Sequence, residues 1–474
     1  MNEFDFDVAV IGGGSGGYAA ARTAAGAGLK TVVIEGGKEI GGLCILRGCM
    51  PTKALLYAAD VIHLARHAET WGIRVPQVSF DFAQVMARKN AMIKDFADDR
   101  VQQLTSGKFK FIRATARFTD PHTVALSTGE TLTAEYFIIS TGSVVSEPPL
   151  PSLREAGYLT SDDALRLVEP PKSLIVLGGG AVAVEFAQFF TRFDTQVTLI
   201  QRSERILRDF DTDAAAELGK AFRREGMAVF TNTRLLRAGR EGDRKAVSFE
   251  HDGKTVRLAA DEILFALGRT PSTSPLHLEK AGVKTERERI VTNARMQTSA
   301  PHIYAAGDCT GPHEIVHIAI QQGEIAAHNI ARPDRPRDMD YRLLAHIVFT
   351  DPQIGTVGLT EKEAKAKNIP YLEASYPFSD HGKSLIMDAR DGFVKLLANP
   401  DTGEILGGCC VGPMGGELIH EIIVAMANRM TVHELAATPH YHPTLAEIWT
   451  YPAEELADQI KLQASVSDNQ TGGV

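Results

Sequence analysis

The chain has 474 residues, 44% of them hydrophobic, 23% charged and 7% aromatic, and at roughly 150 residues per domain this length predicts about three domains with ample cores. A balance of 50 basic against 59 acidic residues gives a net charge of −9, which argues against a general nucleic-acid or anionic-membrane surface. The 5 cysteines are too few for a disulfide scaffold and odd in number, no apolar run is long enough for a membrane span, and the acidic start over residues 1–7 is unlike a signal or transit peptide. A cytosolic protein is therefore expected.

Residues 8–11 form a β-branched apolar run too short for a helix. Gly12-Gly13-Gly14-Ser15-Gly16-Gly17 follows, then a helix over residues 18–27 and a buried strand over residues 31–34 ending at Glu35. This is a βαβ unit with GxGxxG at its first turn: glycine permits close backbone approach, the helix start offers free N–H groups to a pyrophosphate, and Glu35 can accept from a ribose 2′-hydroxyl. The pattern recurs with a strand over 174–177, Gly178-Gly179-Gly180-Ala181-Val182-Ala183, a helix over 184–190 and a strand over 197–200. Here Gln201 takes the place of the acid, followed by Arg202, Arg205 and Arg208. A neutral amide with guanidinium neighbours suits a 2′-phosphate, so the second site favours NADP over NAD.

Between the two units, a strand over 132–139 leads into Ser140-Thr141-Gly142-Ser143, and the proline-rich segment 147–151 reads as a crossing between domains. An exit strand over 263–267 reaches Gly268-Arg269-Thr270-Pro271. A strand over 303–306 precedes Gly307-Asp308, where an aspartate at a strand's carboxyl end faces the ligand crevice of an open sheet. A helix over 317–329 follows, its N-terminus able to face an anion. The segment 332–340 reads as a linker into a last domain with strands over 345–349 and 393–398. That domain also carries capping boxes at Thr360/Glu363 and Thr431/Glu434, and a helix over 417–430 with Leu418, Ile419, Ile422, Ile423 and Met426 on one stripe. The fold class is thus α/β, with two Rossmann-like units and a C-terminal α+β domain.

Cys44 and Cys49 lie in Gly41-Gly42-Leu43-Cys44-Ile45-Leu46-Arg47-Gly48-Cys49-Met50-Pro51-Thr52-Lys53. Their spacing is neither that of a zinc knuckle nor C-x-x-C, and no metal site is predicted. On a regular helix the two would face apart, so pairing them needs a distorted turn, for which Gly48 and Pro51 supply the irregularity. Cys309, Cys409 and Cys410 read as buried small hydrophobes, with Cys409 and Cys410 on opposite faces of a strand.

These motifs together resemble the FAD-dependent pyridine nucleotide-disulfide oxidoreductases, the family of dihydrolipoamide dehydrogenase, glutathione reductase and mercuric reductase. Residues 41–53 fit its GGxCxxxxCxPxK signature, and both nucleotide turns, Ala306-Gly307-Asp308 and the C-terminal His442-Pro443 fit as well. The resemblance implies an FAD-binding domain over 1–147, an NAD(P)-binding domain over 148–271, a central segment over 272–340 completing the first, and a dimerisation domain over 341–474. It also implies hydride transfer from NAD(P)H to flavin and reduction of a Cys44–Cys49 disulfide. Cys49 is then the charge-transfer thiolate facing the flavin and Cys44 the thiol that exchanges with a small disulfide or dithiol substrate. His442 and Glu447 match the family's base dyad, which reaches the disulfide of the other subunit in a homodimer, and Lys53 and Glu185 match the pair beside flavin N5. Cofactor-binding positions are then Gly12, Gly14, Ser15, Gly17, Glu35, Gly42, Lys53, Ala116, Thr141, Gly142, Asp308, His317 and Ala319, with Gly178, Gly180, Ala183, Gln201, Arg202, Arg208, Gly268 and Arg269.

Departures from the family pattern bear on specificity. Ala181 stands where many members carry a Tyr over the nicotinamide pocket, implying a more open pocket. Arg47 places a cation between the cysteines, where it is expected to lower a thiolate pKa or attract an anionic disulfide. Nothing after Cys410 is cysteine, so the C-terminal pair of mercuric reductases is absent and mercury reduction is not expected. The rival readings are a dihydrolipoyl dehydrogenase running toward NAD⁺ and a catalytically silent flavoprotein acting as a redox sensor.

Overall fold

The structure is a computed structural model that describes residues 4–471, with side chains through residue 462. Its first sheet is centred on the strand Phe6–Ile11, which pairs in parallel with Thr31–Ile34 on one side and Thr131–Ile139 on the other. Such central strands read as continuous apolar runs because both faces are covered. Ala9 and Ile11 enter one core and Val8 and Val10 the other, on opposite faces of the sheet. The strand Thr131–Ile139 divides its pairing. Its start meets the antiparallel strand Thr123–Leu126, while its end pairs in parallel with Ile303–Ala305. A segment more than a hundred residues downstream thus completes the first sheet.

The second sheet, also parallel, runs Ala228–Phe230, Gln196–Ile200, Ser173–Leu177, Glu262–Phe265. An antiparallel meander of Arg234–Glu241, Arg244–His251 and Lys254–Ala260 covers it, an element that the sequence reading did not foresee. Chain exit and return lie side by side, since Ser143–Val145 pairs antiparallel with Arg269–Pro271. The third sheet is antiparallel, in the order Ala345–Val348, Gln353–Gly358, Ile405–Gly412, Phe393–Ala398, Leu372–Pro377. The helix Gly415–Ala427 packs on it, with Ile419, Ile422 and Met426 buried in its core.

Several element ends differ from expectation. The first helix is Ser15–Gly26 and so takes the last motif glycines into its first turn. The exit strand stops at Phe265, and the strand after Leu344 stops at Val348, beyond which the Phe349 N–H bonds Glu185. The helix expected to reach residue 430 ends at Ala427. Arg429 adopts φ 52°, and the N–H groups of Arg429 and Met430 return to the carbonyls of Met426 and Ala425, a Schellman closure. Both capping boxes form, and Thr160 with Asp163 makes another.

A buried ion network ties the three sheets' domains together. The Arg192 side chain is only 4% exposed and reaches Asp60, Glu225 and Asp351 at 2.6, 2.9 and 2.7 Å. Among the described residues no helix is long and apolar enough to cross a membrane.

Candidate active site

Cys44 lies in the short helix Gly42–Leu46, and Cys49 opens the helix Cys49–Arg66. The distorted turn sits between them, where Arg47 (φ −146°, ψ 8°) and Gly48 (φ −123°, ψ −111°) leave helical geometry. That break brings the two free thiols into hydrogen-bond contact. Cys44 donates to Cys49, which raises Cys44 well above the ordinary thiol value, with burial adding to the rise. The same bond is the main cause lowering Cys49 to about 7; burial opposes it and the Lys53 ammonium assists. As the first residue of an 18-residue helix, Cys49 also holds its sulfur where an anion is favoured.

Lys53, one turn along that helix, bonds both carboxylate oxygens of Glu185 at 3.0 and 2.8 Å. Glu185 is buried on the helix Ala181–Arg192 and also accepts the Phe349 backbone N–H at 2.9 Å. The Lys53 ammonium lies 4.6 Å from the Phe349 ring centroid, a cation–π position. Phe349, just past the end of its strand, thus touches both members of this pair.

Arg47 faces carboxylates. Its guanidinium approaches Asp162 at 3.4 Å and Glu39 at 3.7 Å, and the charges acting most on the two thiols are each other's and those of Lys53 and Glu185. The cation is neutralised by carboxylates and ties the redox loop to the segment leading into the second sheet.

His442 Nδ1 donates to Glu447 at 2.9 and 3.0 Å, leaving Nε2 free to act as a base. The imidazole is 72% exposed, and among the described residues no hydrogen bond or ion pair joins it to either cysteine. The remaining cysteines are buried, Cys409 in the core beside the second sheet and Cys410 in the core of the third. Burial pushes Cys309 to about 11 and Cys409 to about 12.

The two glycine turns share one backbone geometry. Gly12 (φ 106°) and Gly178 (φ 122°) hold backbone conformations that favour glycine. A Cβ on either would collide with a carbonyl, of Ser140 at 2.2 Å or Ala266 at 2.3 Å. The Gly13 N–H donates to Glu35 at 2.7 Å. Gln201 lies over Gly179 in the same way, its side chain 2.9 Å from where a Cβ would stand. The helices that start at Ser15 and Ala181, after Gly14 and Gly180, have no side-chain cap, so their first N–H groups remain open; Gly17 lies in the first and the buried Ala183 in the second.

Around the first turn, the Thr141 hydroxyl is buried without a partner, next to Gly142 at φ 68°. Asp308 accepts from Ser143 at 2.7 Å, and the Gly307 N–H is held by Gln322 at 2.7 Å. His317 and Ala319 lie in the first turn of the uncapped helix Val316–Ala331, Gly42 opens the redox helix, and Ala116 begins the strand Ala116–Asp120. An orphaned hydroxyl and uncapped helix starts are the donor set a dinucleotide requires, so these residues fit FAD.

Around the second turn, Arg202 and Arg208 are exposed, whereas Arg205 is committed to the carbonyls of Arg208 and Phe210 at 3.3 and 3.2 Å. Arg208 also approaches Asp209 at 3.4 Å, so of the expected basic trio only the Arg202 guanidinium makes neither an ion pair nor a hydrogen bond among the described residues. Gly268 has φ 126°, and Arg269 bonds Ser143 at 2.8 and 2.7 Å, which places it beside Asp308. Sequence reading missed Ser143, Gln322 and Phe349, whose partners are remote in the chain.

Residues 6–323 match the family model for pyridine nucleotide-disulphide oxidoreductases, and residues 344–453 match the dimerisation domain of the same family. The chain belongs to this family. Among curated proteins, a dihydrolipoyl dehydrogenase of Thermus scotoductus is 38% identical over 464 residues, covering 96% of this chain and 98% of that protein. The dihydrolipoyl dehydrogenase of Geobacillus stearothermophilus is 36% identical over 450 residues, covering 94% and 95%. The mercuric reductase of Staphylococcus aureus is 32% identical over 445 residues, covering 94% of this chain and 81% of that one. Among solved structures, LpdA from Mycobacterium tuberculosis is similar with a TM-score of 0.85 and 30% identity, covering 95% of this chain and 99% of that one. The HOCl-induced flavoprotein disulfide reductase RclA from Escherichia coli gives 0.84 and 26%, covering 94% and 99%. As a member of this family the protein is an oxidoreductase of the FAD and pyridine-nucleotide class, and its dimerisation domain supports a homodimer.

Proposed function

We propose that the protein is an NAD(P)H:disulfide oxidoreductase in which Cys44 and Cys49 carry electrons to a small disulfide. The observation that carries this reading is the polarised thiol pair, with Cys49 lowered to about 7 by the bond from a Cys44 that is itself raised. One sulfur is prepared as a resident thiolate and the other as a protonated thiol awaiting a base.

FAD, when bound, supplies acceptance of hydride from the nicotinamide and delivery of two electrons to the disulfide. Glu35, the Ser15 helix start, Thr141, Asp308 and the helix start near His317 would hold it. Lys53 sets a cation beside Cys49 and is oriented by Glu185. His442 of the partner subunit removes the Cys44 proton through Nε2 and later returns it to the departing thiolate, while the carboxylate on Nδ1 stabilises the imidazolium. The exposure of His442 within one chain agrees with a base that serves another subunit.

NADPH is the proposed nicotinamide donor. Gln201 replaces the carboxylate that would repel a 2′-phosphate, and Arg202 and Arg208 are exposed beside it. A dihydrolipoyl dehydrogenase working toward NAD⁺ is the second reading, favoured by the names of the relatives in Thermus and Geobacillus. Steady-state turnover with NADPH and NADH, followed by stopped-flow reoxidation of the reduced enzyme by lipoamide, glutathione disulfide and other small disulfides, separates the readings. A strong NADH preference combined with fast lipoamide turnover selects the second.

A further inference from the structure

Two guanidinium groups flank Tyr18 on the helix Ser15–Gly26. Arg22 lies 6.0 Å and Arg100 4.4 Å from the ring centroid. Arg22 is neutralised, since it bonds Glu324 at 2.6 Å. Arg100 is not. It lies on the helix Phe82–Leu104 and donates through Nε to the neutral Gln103 amide at 3.1 Å, while its buried Nη1 has no partner. Among the described residues it makes no ion pair.

This cation, whose nearest acidic neighbour is Asp99 next to it in the chain, lies on a helix packed against that of the exchanging thiol. The helix Gly42–Leu46 that carries Cys44 packs against the helix of Arg100. Burial holds the Arg100 pKa below its ordinary value, opposed by Tyr18, Cys44 and Asp99, which are all close enough to act on it. A partly desolvated guanidinium without a counter-ion is costly until an anion answers it. Arg47, the cation that the sequence offered for this role, is already paired.

Building on the disulfide-reductase reading, we propose that Arg100 is a specificity-determining residue that selects disulfides bearing an anionic group, such as a carboxylate, near the sulfur–sulfur bond. The Cys44 thiolate attacks one substrate sulfur, the substrate S–S bond breaks, and the first thiolate leaves with a proton from His442 of the partner subunit. The Cys49 thiolate then attacks Cys44, releasing the second thiolate and restoring the Cys44–Cys49 disulfide. The two electrons originate from NAD(P)H.

The test compares two disulfides that differ only in charge, dithiodipropionate and its diamide, in wild type, Arg100→Gln and Arg100→Lys. The expected result is that the ratio of kcat/KM for the dianion over the diamide falls about tenfold in Arg100→Gln, as for loss of one close charge pair, and recovers in Arg100→Lys. A second readout is independent of turnover: the alkylation rate of Cys44 in the dithiothreitol-reduced protein by iodoacetate relative to iodoacetamide should fall in the same variant. If both disulfides are turned over and neither ratio changes in Arg100→Gln, this proposal alone is overturned. If NADPH reduces the wild-type enzyme but neither disulfide is turned over, the disulfide-reductase reading falls and the proposal falls with it.

Discussion

Glu185, buried on a helix of the second nucleotide fold, holds the Lys53 ammonium of the helix Cys49–Arg66 at 2.8 and 3.0 Å. It also accepts the backbone N–H of Phe349 from the third domain at 2.9 Å. One carboxylate thus positions a cation beside Cys49 and locks three parts of the chain in register.

Removing that carboxylate leaves a cation without its counter-charge and a backbone donor without an acceptor. Glu185→Ala should destabilise the protein by about 3 kcal/mol, the scale for breaking a buried pair, read as a shift of the denaturant midpoint. Glu185→Gln, which keeps the acceptor for Phe349, should lose less. Equal stability of Glu185→Ala and wild type would remove the junction role.

The Cys49 thiolate depends on its neighbour. In the reduced enzyme its absorbance should titrate near pH 7, with the thiolate present above that value and lost as pH falls through it. Cys44→Ala removes the main stabilising donor and should move this titration upward by about one unit or more. An unmoved titration would show that Lys53 and the helix terminus suffice.

Arg47→Met should leave the thiolate titration where it is, because the Arg47 charge is answered by Asp162 and Glu39. These are partly exposed pairs, so the stability change should stay at about 1 kcal/mol or less. A downward or upward move of the thiolate titration in this variant would restore Arg47 as an electrostatic partner of the cysteines.

For the nicotinamide donor, Gln201→Glu introduces the carboxylate that stands at Glu35 in the first unit. The ratio of kcat/KM for NADPH over NADH should fall by about tenfold or more, from repulsion of the 2′-phosphate. Arg202→Ala with Arg208→Ala should lower the same ratio, whereas Arg205→Ala should act mainly on stability, since that side chain braces its own loop. A ratio indifferent to all of these would refute the NADPH assignment.

What the sequence made legible is what local rules encode. A short apolar strand, a glycine turn and a helix specify each nucleotide unit, and Thr360/Glu363 and Thr431/Glu434 specify their own capping boxes. The broken helix between Cys44 and Cys49 also followed from Gly48, whereas Pro51, expected to share in the irregularity, lies inside the first turn of the following helix. The rest depends on partners far apart in the chain. Nothing near Arg47 announces Asp162, and nothing near Arg192 announces Asp60 and Asp351. The helix expected to reach residue 430 stops at Ala427, because side-chain periodicity does not report the left-handed turn at Arg429. Arg100 sits in an ordinary charged helix, and only the packing of Tyr18 and the helix of Cys44 around it gives its charge a use.

The central claim is that electrons from the nicotinamide reach the Cys44–Cys49 pair. The most direct measurement is anaerobic reduction of the air-oxidised holoenzyme with NADPH, followed by alkylation and mass spectrometry of the peptide over residues 41–53. The account predicts that this peptide is unlabelled before NADPH and labelled at Cys44 and Cys49 afterward, while Cys309, Cys409 and Cys410 remain unlabelled in the folded protein. NADPH oxidation with no change in labelling at Cys44 and Cys49 would contradict it.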